Sequence, residues 1–256
     1  MSSSTPLLVY TYLFKDQSLV VDEQLQVPQL PLQQQDLLVR ELPEKRFVTR
    51  DLADNEVIPA GLQLVPIRQL LGNWSIQEFE LASRAKQLME WKRNHGFCSR
   101  CGNATAQHER DHAMVCTVCQ YMQYPRVQPC VIMAITRGDS ILLARSAQRP
   151  SPMFSLLAGF VEVGETLEQA VARETKEEAG IAIKNIRYMG SQPWPFPTNL
   201  MIAFQAEYDG GEIVPQPDEI AEARFFDFDD LPLIPPKGSI ANSMIMQISR
   251  PKIVVD

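Results

Sequence analysis

The chain of 256 residues has no apolar run approaching the ~18 residues that a membrane-spanning helix requires. No basic n-region precedes the short apolar stretch within Met1–Phe14, which makes it a poor secretory signal and leaves the cytoplasm as the expected compartment. There is no excess of positive charge: 24 Lys and Arg against 31 Asp and Glu give a net charge of −7. A broad electrostatic grip on nucleic acid is therefore not expected, although divalent cations can bring an acidic protein and a phosphate substrate together. Five cysteines, an odd number with four clustered, do not read as a disulfide framework. Internal repeats and low-complexity tracts are absent too. A hydrophobic content of 45% with 21% charged residues is that of an ordinary globular chain, which excludes disorder, collagen and coiled coil.

What is present divides into three stretches: residues 1–93, an N-terminal domain with no legible function; 94–125, a cysteine module; and 126–256, an α/β domain. In the first, Leu7–Phe14 has the residues of a strand, and short apolar runs follow at Leu37–Val39 and Leu62–Pro66. A helix is expected over Ser75–Asn94, where Ser75 and Glu78 form a capping box. Ile76, Phe79, Ala82, Lys86 and Met89 would fall on its packed side. In the third stretch, strands are expected at Val127–Thr136, Ser140–Arg145, Leu200–Tyr208 and Ala223–Phe228, with helices at Thr166–Ala179 and Ser239–Ser249.

Cys98-Ser-Arg-Cys101 and Cys116-Thr-Val-Cys119 are two CxxC pairs with fourteen residues between them. Four thiolates so spaced can hold one Zn²⁺ tetrahedrally and leave no position open for chemistry, so the ion is expected to be structural, one per subunit. A redox CxxC or secreted disulfides are the competing readings, weakened by the pairs coming together without a secretory signal. The ribbon could also touch nucleic acid through Arg100, Arg110 and Arg126, but Glu109 and Asp111 dilute that charge. Cys130 lies inside an apolar strand and reads as a buried, inert thiol.

The segment Gly159–Ile181 carries the chemistry. Glu174, Glu177 and Glu178 stand at i, i+3 and i+4, which puts three carboxylates on one helical face. Arg173 can reach Glu177 but cannot neutralise all three. Clustered hard oxygens suit Mg²⁺ or Mn²⁺, especially where substrate phosphates complete the coordination. Leu167, Ala170, Val171 and Thr175 can face a core, Gly159 and Gly164 shape a loop ahead of the helix, and Gly180 suits its C-terminus. Without the leading Glu165 and the Arg-Glu pair, the same glutamates would read as a solvated acidic face.

With its glycines, Glu165, Arg173-Glu174 and Glu177-Glu178 at fixed intervals, this segment resembles the Nudix box; Thr175 stands where an apolar residue is usual. Downstream, Gln192-Pro193-Trp194-Pro195-Phe196-Pro197 resembles the signature of the NADH pyrophosphatase branch, followed by Thr198-Asn199 where that signature has a serine second. On physics alone, the alternating prolines would hold this loop extended and stiff and present Trp194 and Phe196 for stacking on a flat ring. A Pro-rich surface loop pinned by buried aromatics is the other reading.

The resemblance covers about Cys98 to Ala241. It implies an α/β (α+β) Nudix fold, a mixed sheet sandwiched by helices, behind a zinc ribbon and a small N-terminal domain. It further implies metal-dependent hydrolysis of NAD(H) to NMN(H) and AMP, and removal of the NAD cap from RNA 5′ ends by a homodimer. Glu174 and Glu178 would be metal ligands, Glu177 a further ligand or the base that activates water, and Glu219 one more ligand from outside the box. Phe160 and the partner subunit's Tyr124 would sandwich a ring of the substrate. Ala158, Ala241, Arg68 and Asp111 match other substrate-contacting positions. A pyrophosphatase for ADP-ribose or another dinucleotide, and a non-catalytic sensor of dinucleotides or RNA, are the alternatives. The retained box carboxylates speak against the sensor, and Trp194 with Phe196 against ADP-ribose.

Overall fold

The computed structural model describes residues 7–53, 55–148 and 151–249; the end of the 126–256 stretch, from 250 on, lies outside them. The chain forms two compact units, one running to Val127 and including Pro193–Thr198, the other made of Gln128–Gln192 and the residues from Asn199 on.

The first unit begins with strands β1 (Leu8–Lys15), β2 (Ser18–Asp22), β3 (Leu37–Leu42), β4 (Lys45–Asp51) and β5 (Leu62–Pro66), then a one-turn helix α1 (Ile67–Leu70) and a long helix α2 (Ile76–Asn94). The strands lie in the order β3-β4-β1-β2-β5, with β1 and β4 parallel. β1 sits in the middle and buries both faces. Tyr12 and Phe14 join Leu19, Val21 and the α2 residues in one cluster. Leu13, between them, points the other way with Val20 and Leu52, as the strand pleat requires.

Helix α2 starts on the expected capping box: Ser75 accepts from the Glu78 N–H and the Glu78 carboxylate accepts from the Ser75 N–H. Its buried face runs through Phe79, Ala82, Lys86 and Met89, together with Leu88 and Trp91. Each large apolar side chain there contributes about 1.5–3 kcal/mol on burial. Ile76 departs from expectation: it occupies the first helical position, one turn ahead of the packed face, and is 66% exposed. Lys86 is fully buried and ion-paired to Glu90 at 3.2 Å, a charge tolerated inside only because it is paired. The cysteine module completes this unit with a small antiparallel sheet, β6 (Thr105–Gln107), β7 (Met114–Cys116) and β8 (Met122–Gln123).

The second unit contains β9 (Gln128–Arg137), β10 (Ser140–Ser146), β11 (Leu157–Phe160), α3 (Leu167–Ala179), β12 (Ala182–Trp194), β13 (Asn199–Gly210), β14 (Ile220–Asp227) and α4 (Ile240–Ser249). The sheet order is β12-β13-β9-β10-β14, with β11 paired to β9. β13 runs parallel to β9, whereas β10 and β11 run antiparallel to it, so the sheet is mixed. Val131, Met133 and Ile135 of β9 pack with Ala170, Val171 and Ala179 of α3. Helix α4 also lies on β9 and β13, yet its buried Ala241, Met244 and Ile245 stand outside that cluster. That places a helix on each face of a mixed sheet, the expected layered architecture.

The expected strands and helices of this unit are all present. Strand β12, which the sequence did not disclose, is an edge strand whose apolar alternation is broken at Asn185, a residue at φ 53°.

Candidate active site

Helix α3 is held at both ends by its own sequence. Thr166 and Gln169 make a reciprocal capping box at the start. At the end Gly180 adopts φ 76° and its N–H donates to the Lys176 carbonyl, a left-handed cap that glycine takes without steric cost. Thr175 is fully buried and donates its hydroxyl to the Val171 carbonyl at 2.7 Å. The departure from an apolar residue is thereby satisfied inside the helix.

Of the two glycines expected to shape the preceding loop, Gly164 does so, at φ 92°. Gly159 does something else. It lies within β11, and a Cβ there would sit 1.8 Å from the Glu174 carboxyl carbon. The glycine leaves space for a carboxylate rather than turning the chain.

Arg173 organises the acidic face. Its guanidinium grips Glu165 through two bonds, Nε to Oε2 at 3.0 Å and Nη2 to Oε1 at 2.6 Å. Its Nη1 reaches Glu174 and Glu177, each at 2.9 Å, and Nη2 also donates to the Phe160 carbonyl at 2.9 Å. One arginine thus holds Glu165, Glu174 and Glu177 in place. It holds the Glu165 carboxyl down at about 2, helped by the Glu162 N–H.

Glu178 stands apart from this network. It is 6% exposed, and its Oε2 is buried with no hydrogen-bond partner. Burial, followed by the charges of Glu174 and Glu219, pushes its carboxyl up to about 8; the Ala158 N–H, which it accepts, opposes that shift. Glu174 is raised as well, first by burial. A buried, unpartnered carboxylate oxygen beside two further carboxylates is costly and is the donor set that a hard divalent cation satisfies. Glu174 and Glu178 have the chemistry such an ion needs, and Glu219, the residue before β14 and far from the box in sequence, acts on both through its charge. Glu177 is on the same side of the helix, but its side chain is 52% exposed and tied to Arg173.

Among the described residues, only the four cysteines bring three or more ligand atoms within 4.8 Å of one another. Sγ–Sγ separations of 3.4 Å for Cys101–Cys116 and Cys101–Cys119, and 3.7 Å for Cys98–Cys119, approach the ~3.8 Å edge of a tetrahedron with Zn–S bonds of about 2.3 Å. Main-chain N–H groups of Arg100, Val118 and Cys119 point at the sulfurs of Cys98 and Cys116. The Asn103 side chain and backbone hold the Cys101 thiol down at about 6. Cys116 is lowered too, chiefly by the Cys119 N–H, whereas burial and the neighbouring sulfurs push Cys119 up to about 12. Cys130 lies elsewhere, buried in β9, with its thiol pushed up to about 12 by burial and by Glu174 and Glu178.

The remaining candidates fall in separate places. In the second unit, Ala158 lies in β11 and Phe160 ends it with a ring 51% exposed. The Gln192 carboxamide donates to the Gly238 carbonyl and accepts the Ile240 N–H, at 2.9 and 2.8 Å. It thereby braces the start of α4, where Ala241 is buried. Asn199 opens β13 and is buried.

In the first unit, Trp194 and Phe196 meet edge to face at 5.1 Å, and Phe79 of α2 lies 6.3 Å from Trp194. The Arg68 guanidinium lies 3.7 Å over the Phe196 ring. Pro193 and Trp194 end β12, but Pro195–Thr198 turn back instead of continuing extended. The Phe196 N–H bonds the Trp194 carbonyl at 2.9 Å, and both rings pack on the core of that unit. Pro195 and Thr198 are buried, while Pro197 is exposed. Tyr124 follows β8 with 55% of its surface free. Asp111 sits on the ribbon, bonded through its N–H to His108 at 3.1 Å.

A NUDIX domain model matches residues 126–247, and an NADH pyrophosphatase zinc ribbon domain matches 93–124. The chain is 54% identical over 167 residues to the NAD-capped RNA hydrolase NudC of Salmonella heidelberg, covering 65% of each. To the protein of that name from Citrobacter koseri it is 51% identical over 179 residues, covering 70% of this chain and 69% of the relative. A crystal structure of a NUDIX hydrolase from Nitrosomonas europaea aligns at TM-score 0.47 and 28% identity, over 53% of this chain and 79% of that one. A carboxylate-bearing box helix on a mixed sheet, behind a four-cysteine ribbon, defines the class. The chain belongs to the Nudix hydrolases, in the branch that carries the NADH pyrophosphatase zinc ribbon. The match spans 65% of the length of the Salmonella relative.

Proposed function

We propose that this protein hydrolyses the pyrophosphate of NAD(H) to NMN(H) and AMP, and removes the NAD cap from RNA to leave a 5′-monophosphate end. The observation that carries the reading is Glu178, whose buried and unpartnered Oε2 lies on the face shared with Glu174 and within the field of Glu219. The relatives, NAD-capped RNA hydrolases, suggest the substrate class.

Glu174, Glu178 and Glu219 would hold Mg²⁺ or Mn²⁺, with Glu177 as a further ligand or as the base that takes the proton from water. The ion, when bound, polarises the phosphoryl oxygens, lowers the pKa of the attacking water and neutralises the leaving group. The water oxygen forms a bond to one phosphorus, and the bond from that phosphorus to the bridging oxygen breaks. Each product then carries one phosphate. Arg173 keeps three carboxylates in register, and Gly159 leaves the room that Glu174 needs. Ala158, Phe160, Gln192–Asn199, Ala241, Arg68, Asp111 and a partner subunit's Tyr124 are assigned to substrate contacts.

A homodimer is part of the proposal; the exposed Phe97, Val118 and Tyr124 of the ribbon are apolar surface of the kind a second copy covers. Cytoplasmic residence is also proposed, in keeping with cysteines that serve a four-thiolate zinc site and one buried thiol. The experiment is product analysis with NADH and either metal, beside a Glu178→Gln control. NMNH and AMP from the parent alone are expected, after which NAD-capped RNA is the next substrate. An absence of turnover by folded, zinc-loaded protein would refute the NADH assignment.

A further inference from the structure

The two cysteine knuckles are held differently. The second is anchored by strand pairing: Cys116 ends β7 and lies opposite Thr105 of β6. The first lies outside the named strands. It folds back on itself through a Phe97–Ala104 bridge and a 2.8 Å bond from the Cys98 N–H to the Asn103 carbonyl. The Phe97 ring is 72% exposed and gives Cys98 no apolar anchor.

Thr117 bonds the Ala104 carbonyl at the far end of this turn, and Gln123, the last residue of β8, supplies the tie at Cys98 itself. Its side chain is buried, at 5% residue exposure. Oε1 accepts the Ser99 N–H at 2.9 Å and Nε2 donates to the Phe97 carbonyl at 3.2 Å. The carboxamide thus clamps both neighbours of Cys98. The main-chain carbonyl of Gln123 accepts the indole N–H of Trp91 at 3.1 Å. Trp91 is 2% exposed and belongs to the core that α2 forms with the N-terminal sheet.

We infer that Gln123 is a positioning residue for the zinc site: it orients Cys98 and, through Trp91, makes the N-terminal sheet and α2 the platform on which the first knuckle is preorganised. A ligand held in place before the ion arrives loses less freedom on binding, which is why outer partners of metal ligands matter for affinity. The reading also gives residues 1–93 a task independent of substrate.

The test uses the full chain. Zinc affinity is measured by competition with a chromophoric chelator, and ligand geometry by the visible absorption of the Co²⁺-substituted protein. Gln123→Met keeps the bulk and removes both side-chain bonds, and is expected to weaken zinc binding about 10–100-fold with altered Co²⁺ bands. Trp91→Phe breaks only the tie to the platform and is expected to give a smaller loss. Affinity and Co²⁺ bands that match the parent in Gln123→Met, even with a lower melting temperature, would overturn the inference. Should Gln123→Met fail to fold, Gln123→Asn, a methylene too short to reach both partners, takes its place under the same two outcomes.

Discussion

Gly159 and Glu174 occupy the same space: a Cβ on the glycine would meet the glutamate carboxyl carbon at 1.8 Å. Strand β11 and helix α3 approach so closely because the carboxylate is lodged over the strand backbone. Since Gly159 does not use a left-handed conformation, an alanine there is excluded by the carboxylate alone. Gly159→Ala should therefore displace Glu174 and cost about 10²-fold or more in kcat on NADH, the scale expected for an ångström of misplacement. The fold should survive, so the check is turnover beside an unchanged circular dichroism spectrum.

Glu178→Gln should separate stability from activity. The amide keeps the shape and removes a carboxyl that, pushed up to about 8, must either hold a proton that the unfolded chain releases or bury a charge whose Oε2 has no partner. Turnover should fall by about 10³-fold, a loss on the scale of removing one electrostatic contact to the transition state. Thermal stability without added Mg²⁺ or Mn²⁺ should rise, as it commonly does when a strained site is neutralised. A melting temperature below that of the parent would contradict this account of the site.

Arg173→Lys should fail as a conservative change. A lysine cannot make the forked pair to Glu165 and still reach Glu174, Glu177 and the Phe160 carbonyl, because the guanidinium geometry is what allows it. Loss of about 1–3 kcal/mol of stability is expected from several charge-assisted bonds to a half-buried group, measured by denaturant unfolding. Activity should drop with it, since the released Glu174 is a proposed metal ligand and the released Glu177 a further ligand or the base.

The acid limb of stability should depend on Glu165. Its carboxyl is held at about 2, below the ordinary 4.5, by Arg173 first and the Glu162 N–H second. A depressed carboxylate contributes stability that is complete above the unfolded value and is lost as the pH falls through the folded one. Glu165→Gln should therefore be less stable than the parent at neutral pH. The gap should close between pH 4.5 and 2. Denaturant midpoints of the two proteins across that range provide the check.

Much of this site was legible in the chain because its signals are local. The spacing of Glu174, Glu177 and Glu178 shares one helical face whatever surrounds the helix, and Gly180 marks its end from within. The two CxxC pairs likewise announce a zinc site, since four soft ligands at that spacing have few other uses. What stayed hidden depends on non-local neighbours. Gly159 reads as a loop residue until α3 lies over β11. Strand β12 loses its alternation at Asn185 and along an edge where one side meets solvent. The proline loop reads as extended, yet it turns back because Trp194 and Phe196 bury their rings against Phe79 and Arg68.

The sequence by itself determined the ligand chemistry open to this protein: which thiolates can hold zinc, which carboxylates share a face, and which glycine ends the helix that carries them. Only the tertiary structure decided how those groups divide their work. It gave Arg173 three of the carboxylates and left Glu178 buried with an unpartnered oxygen. It set Glu219, the residue before β14, where its charge acts on Glu178, and set Gln123 between a cysteine knuckle and a tryptophan of α2. The physical reason is that residue type and spacing specify what a side chain can bind, whereas burial and charge proximity arise only when distant segments pack.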